Sequence, residues 1–218
     1  MAQTYKTASA IPAILIAIVL VALAGWLTIF RSSQPVQYTY GNHYRVTLTV
    51  RVDGNVRQAS SVYEYDCPTA KLYTGVSVST LCSIKGEALT LDLGPRGRLF
   101  LLMNSQDLEG SDLLVHGMLM AAQHHTPVPE GGLPLMVRFG NAADSQSVTK
   151  VDPAHLDQSF GNGVQLKSVT ITATQDAVQR GHLSAVLPWL SGASGQPLAT
   201  PQSGNRLATN LHNFDFSY

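Results

Sequence analysis

Residues 44–65 read YRVTLTVRVDGNVRQASSVYEY, and this stretch decides the fold. Apolar and polar residues alternate through its first nine positions, which is the period of a strand with one buried face. Asp53-Gly54 follows, the dipeptide that two-residue type I′ hairpin turns prefer. A turn there places Tyr44 opposite Tyr63, with small side chains opposite large ones on the same face. We therefore predict a hairpin whose apolar face receives a second layer.

Strand patterns continue along the chain beyond this hairpin. A continuous apolar run at 98–103 predicts a strand buried on both faces. The alternation in the last strand loses its phase near Lys167, which predicts a β-bulge. Further strands are predicted at 88–93, 133–139, 147–151 and 164–174, with a short β-prone run within 75–84.

Two short helices are predicted among these strands. Residues 111–123 begin with the cap Ser111 and carry an apolar face, and Asp152-Pro153 has the sequence of an N-cap and a first helical position. The predicted fold class is therefore α+β: an N-terminal transmembrane helix followed by one mainly antiparallel β domain with one or two short helices.

Residues 11–30, IPAILIAIVLVALAGWLTIF, contain no charge in twenty positions. At ~1.5 Å per residue, a helix of this length spans the ~30 Å hydrocarbon core of a bilayer. Lys6 and the N-terminal amine lie before the stretch, and Arg31 lies after it. This slight excess of positive charge on the N-terminal side favours a cytoplasmic N-terminus. We expect an uncleaved signal anchor. The alternative is a signal peptide cleaved after Ala24, at Ala22-Leu23-Ala24, and both interpretations place the rest of the chain across the membrane.

The remaining chain divides by composition. We expect a cytoplasmic N-terminus at 1–10, a polar linker at 31–42, an extracytoplasmic β-rich domain at 43–190 and a flexible Gly/Ser/Pro segment with an aromatic end at 191–218. The apolar sequence Leu187-Pro188-Trp189-Leu190 is expected to act as an anchor at the end of the domain.

Charge and cysteine content limit the class of function. Lys and Arg total 14, as do Asp and Glu, so a nucleic-acid partner and a polybasic lipid-binding patch are not expected. Cys67 and Cys82 are the two cysteines. Outside the cytoplasm they can form one disulfide, and two buried free thiols are the alternative.

Histidines and carboxylates provide weak site candidates. Adjacent His124 and His125 on a helix point ~100° apart, and His116 lies two turns away, so no metal or cofactor site is predicted. Acid pairs for glycoside hydrolysis need a defined separation, which sequence spacing alone does not establish. The pairs that can be nominated are Glu64 with Asp66 and Asp107 with Glu109.

Other polar and aromatic clusters have simple structural interpretations. The glycine-flanked Ser111 lacks a nucleophile-elbow motif, and the turn carrying Arg96 and Arg98 lacks the lysine and helix of a phosphate-binding loop. Those two arginines are expected at a solvated hairpin tip. A group of tyrosines is interpreted as core packing, with an aromatic contact surface as the alternative. Its members are Tyr38, Tyr40, Tyr44, Tyr63 and Tyr65.

Several sequence blocks resemble those of a set of uncharacterised proteobacterial proteins that pair an N-terminal apolar segment with a β-rich domain. The blocks are YRVTLTVRVDGNVRQASSVYEY, GEALTLDLG, RLFLLM, VDPAHLDQSFGNGVQLKSVTI and LPWL, which together contain 62 of the 218 residues. The resemblance implies a bacterial origin and a common fold. It implies no catalytic residue.

The sequence therefore predicts a membrane-anchored bacterial protein with its main domain in the periplasm, or secreted if the chain is cleaved after Ala24. A non-enzymatic binding or assembly module with a protein partner in the envelope is the first hypothesis. An envelope hydrolase that uses His116, His124 or a carboxylate pair is the alternative.

Overall fold

The computed structural model describes residues 43–66, 69–71, 77–79, 83–105, 127–129, 132–192 and 195–216. The predicted anchor, the linker, the predicted helix at 111–123 and both cysteines lie outside these residues. Within the described ranges, no helix has the length and apolar character needed to cross a membrane. The described residues fall into two compact units, and the smaller unit contains residues 69–71 and 77–79.

The described residues contain ten strands and two short α-helices. In chain order the strands are β1 (His43–Val52), β2 (Asn55–Asp66), β3 (Thr69–Lys71), β4 (Ser77–Ser79), β5 (Ser83–Lys85), β6 (Leu89–Asp92), β7 (Arg98–Ser105), β8 (Pro134–Phe139), β9 (Val148–Lys150) and β10 (Val164–Ala173). The helices are α1 (Leu156–Phe160) and α2 (Arg206–Asn210). Strands β3 and β4 belong to the smaller unit and pair with each other.

The β1–β2 hairpin confirms the predicted turn and register. Asp53 and Gly54 have φ values of +50° and +83°, and positive φ at both central positions is the requirement of a type I′ turn. Tyr44 lies opposite Tyr63, and Val52 lies opposite Asn55. Every second residue of β1 is buried, so one face of the hairpin packs into the core.

This hairpin forms the centre of the first sheet, whose strand order is β10-β1-β2-β5. The pairing of β1 with β10 shifts between Thr49, opposite Ser168, and Val50, opposite Leu166. Lys167 is therefore the extra residue of a β-bulge, as the sequence predicts. Among the described strands, β10 is therefore the outer strand on this side of the sheet.

The second sheet has the order β6-β7-β8-β9 and is covered on both faces. Leu99 and Leu101 of β7 join the core shared with the first sheet, whereas Phe100 and Leu102 join a second core on the opposite face. All four are at most 1 % exposed, which confirms the prediction of a strand buried on both sides.

The second core is closed by the C-terminal part of the chain. The sequence places 191–218 outside the β-rich domain as a flexible segment, but the structure buries Leu198, Leu211 and Phe216 against the second sheet. An apolar sheet face must be covered by another layer. The Gly, Ser and Pro residues here serve turns, as in the 3-10 helix Pro201–Ser203 that ends at Gly204 with φ +74°.

The predicted cap and apolar anchor are both present. The Asp152 carboxylate accepts a hydrogen bond from the Ala154 amide at 2.9 Å, as predicted for the cap, and Gly161 is the C-cap of the following helix α1. The Trp189 ring packs against Phe216 and Phe139, with centroid distances of 5.3 and 5.6 Å. These contacts hold residues 181–192 and 195–216, which we call the C-terminal layer, on the second sheet.

Candidate functional site

Most of the nominated histidines and acids lie outside the part of the chain that the structure describes. His116, His124, His125, Asp107, Glu109 and Ser111 lie outside the described residues, and so does the side chain of Asp66. Among the residues that are described, no three His, Cys, Asp or Glu side chains converge as metal ligands would.

Glu64 forms a surface ion pair. The Nζ of Lys85 donates to its Oε1 at 2.5 Å, and the Nε2 of His43 lies 3.9 Å from its Oε2. The hydrogen bond from Lys85 holds the pKa of Glu64 below its usual value, and the charges of Lys85 and His43 act in the same direction. A carboxylate kept ionised in this way is suited to a structural pair rather than to general acid catalysis.

Arg96 has a different environment from the solvated one expected for both turn arginines. Its guanidinium donates to the Asp53 carboxylate at 2.8 and 3.0 Å and to the Phe160 carbonyl at 2.9 Å. Arg96 therefore ties the β1–β2 turn to the end of α1. Arg98 is exposed, and its Nε lies 3.4 Å from Asp92 Oδ2.

Three members of the tyrosine group lie among the described residues, and Tyr65 is the partly buried one, packed against the core between the sheets. Tyr44 and Tyr63 are only 7 % and 2 % exposed and belong to the core between the sheets, which confirms core packing for these two. Tyr38 and Tyr40 lie outside the described residues.

A cavity of about 250 Å³ lies where β2, the start of β6 and residues 179–186 meet. Its apolar wall includes Ala88, Leu89, Leu183 and Val186. Its polar wall consists of Ser60, Ser61, Glu87, Thr90, Gln179 and His182. We call it the Glu87 cavity.

Glu87 is the buried carboxylate of this cavity, with 7 % of its surface exposed. Its Oε1 accepts the Gly181 amide at 2.6 Å, and its Oε2 accepts the amides of His182 at 3.0 Å and Leu183 at 3.3 Å. Ser61 Oγ donates to the Glu87 carbonyl at 3.0 Å. Glu87 therefore joins the C-terminal layer to the sheets.

Thr90 Oγ1, in the wall of the cavity, is buried without a hydrogen bond to any described residue. Burial raises the pKa of the nearby Tyr63, as does the charge of Glu87, whereas the Ser61 side chain and the Leu89 backbone, which lie close to the hydroxyl, lower it. The Tyr63 ring packs closely against Gly86. A side chain at position 86 would clash with it, because a Cβ there would lie 2.6 Å from Tyr63 Cδ1.

A second concavity, of about 390 Å³, follows the outer edge of β10, and we call it the β10 groove. Val128, Leu133 and Pro153 supply apolar walls, and Lys167 is its charged lining residue. The Val128 amide donates to the Val169 carbonyl at 2.9 Å. The edge of β10 therefore already accepts one backbone hydrogen bond from residues 127–129.

Comparison of the chain with protein-family models, curated proteins and solved structures finds no match.

Proposed function

We propose that the protein is a bacterial envelope protein whose residues 11–30 anchor it in the cytoplasmic membrane and whose β-rich domain lies in the periplasm. There it acts as a non-enzymatic binding or assembly module. The uncharged twenty-residue stretch supports the anchor, because its length matches the bilayer core. If the chain is cleaved after Ala24, the same domain is released on the same side of the membrane.

The strand register next to the cysteines supports a disulfide, and a disulfide supports the proposed location in the periplasm. In the β2–β5 pairing, Glu64 lies opposite Lys85 and Asp66 lies opposite Ser83. Cys67 follows Asp66 and Cys82 precedes Ser83, so one more step in the same register would make the cysteines partners. Opposed residues of antiparallel strands have Cα atoms ~4.5–5.5 Å apart, within the range of disulfides. We therefore propose a Cys67–Cys82 disulfide and an oxidising compartment.

Thiol labelling tests this bond in protein isolated from membranes. We expect neither cysteine to react with an alkylating reagent under denaturing conditions before reduction, and both to react after it. Cys67→Ala is the control, because its remaining Cys82 thiol should react without reductant. Loss of the bond should also lower the free energy of unfolding by ~3 kcal/mol, the value for a loop of this length. Labelling of both cysteines in the unreduced protein would exclude the disulfide.

The β10 groove supports the binding role. We propose that its occupant is an extended segment of a partner protein that adds to the outer edge of β10. Strand addition supplies main-chain hydrogen bonds, and the groove walls select the side chains. The bond from Val128 to Val169 supports this mode, because a backbone amide from outside the sheet already donates to β10. The exposed Lys167 favours an acidic residue in the partner, since opposite charges across an interface fix the register.

Site-specific photo-crosslinking in intact cells tests the β10 groove. A photoreactive residue in place of Gln165 or Lys167 is expected to give the same crosslinked partner peptide, with an acidic residue close to the attachment point. Val56, which is 61 % exposed on β2, provides the control position. Identical products from position 56, or products at 165 and 167 that share no peptide, would contradict docking at β10.

A further inference from the structure

We propose that the Glu87 cavity binds a small organic molecule that carries a primary ammonium group. This site is separate from the β10 groove, and it does not depend on the proposed binding of a partner there. Charge, hydrogen-bonding capacity and size each restrict the ligand.

The charge of the cavity selects a cation. Glu87 is the carboxylate of the lining, no lysine or arginine is among the described residues that line the cavity, and none of the ion pairs in the described part of the chain includes Glu87. Its two oxygens receive three backbone N–H groups, which stabilise the charged form, and retain capacity for another donor. The carboxylate would attract a cationic ligand and repel an anionic one.

The Thr90 hydroxyl supplies a further acceptor. Thr90 lines the cavity, and its Oγ1 is buried with no hydrogen-bond partner among the described residues. Buried polar groups in native proteins are rarely left unpaired. An ammonium group has three donors, so it can donate to the Glu87 carboxylate and to this hydroxyl at the same time.

The size of the cavity limits the ligand to a few atoms. Its volume of about 250 Å³ falls below the ~300–1,000 Å³ of pockets for drug-sized ligands. The side chains of Ala88, Leu89 and Val186 provide an apolar wall for a short alkyl group. Few ligand atoms also limit the affinity, so dissociation constants in the millimolar range are expected.

The test uses the full chain in detergent micelles and three probes of similar size: ethylammonium, ethanol and acetate. Backbone amide signals of Gly181, His182 and Leu183 are followed by NMR. We expect ethylammonium alone to shift them in a saturable manner. Thr90→Val should weaken that binding about fivefold, the effect of one lost hydrogen bond. This variant is preferred to Glu87→Gln, because Glu87 also holds the C-terminal layer.

Stability of the unliganded variant provides an independent readout. Thr90→Val should not lower the melting temperature, because Thr90 Oγ1 has no hydrogen-bond partner to lose among the described residues. The proposal is overturned if ethanol or acetate shifts the same amides as strongly as ethylammonium, if no probe gives saturable shifts, or if Thr90→Val binds ethylammonium as tightly as the unaltered protein.

Discussion

Glu87→Ala is expected to lower the free energy of unfolding by about 3–5 kcal/mol, because hydrogen bonds to a charged group contribute ~1.5–3 kcal/mol each and are not additive. The substitution leaves the amides of Gly181, His182 and Leu183 without their acceptor at a site where Glu87 is 7 % exposed. Urea unfolding followed by tryptophan fluorescence measures the change. Trp189 reports on it directly, since its ring lies in the C-terminal layer that Glu87 holds.

Two variants control this measurement. Glu87→Gln keeps one acceptor oxygen and should lose less stability than the alanine variant. Glu64→Ala removes an acid whose ion pair with Lys85 is solvent-exposed, so its unfolding midpoint should stay close to that of the unaltered protein. Equal midpoints for Glu87→Ala and Glu64→Ala would show that the carboxylate of Glu87 does not hold the C-terminal layer.

Phe216→Ala is expected to cost about 3–5 kcal/mol of unfolding free energy, the usual effect of removing a buried aromatic ring. Phe216 has no exposed surface, although it is only two residues from the end of the chain. Its ring lies 5.3 Å from Trp189 and 5.8 Å from Phe139, measured between centroids. Its carbonyl also accepts the Ala88 amide at 2.8 Å. Chemical denaturation of the full chain measures the loss.

Gln202→Ala is the matched control for the C-terminal segment, because Gln202 is exposed in the 3-10 helix Pro201–Ser203. It should leave stability unchanged. If Phe216→Ala were equally silent, the segment would not be part of the fold, and the sequence interpretation of 191–218 as a flexible tail would be correct.

The parts of the fold that could be predicted are those set by neighbouring residues. Alternation in β1 and the Asp53-Gly54 turn determine the hairpin register, because a one-residue slip would reverse the buried face. The loss of phase at Lys167 locates the bulge for the same reason. The apolar run in β7 predicts burial on both faces.

The parts that could not be predicted depend on residues far apart in the chain. The carboxylate of Glu87 accepts hydrogen bonds from amides 94 to 96 residues later in the chain. Because every residue except proline has a backbone N–H group, the amino-acid sequence does not indicate which amides will donate. The Glu87 cavity therefore escapes sequence analysis. Composition also misleads at 195–216, since Gly, Ser and Pro are typical both of linkers and of the tight turns found there.

Protease accessibility in spheroplasts tests the central claim, that the β-rich domain is held outside the cytoplasm by residues 11–30. The full chain carries a C-terminal epitope, and protease is added while the inner membrane is intact. We expect cleavage in the 31–42 linker to release the domain from the membrane while a cytoplasmic marker stays whole. A chain cleaved after Ala24 would instead already be in the soluble periplasmic fraction. An epitope-tagged domain that resists protease until the membrane is lysed would contradict the proposed location.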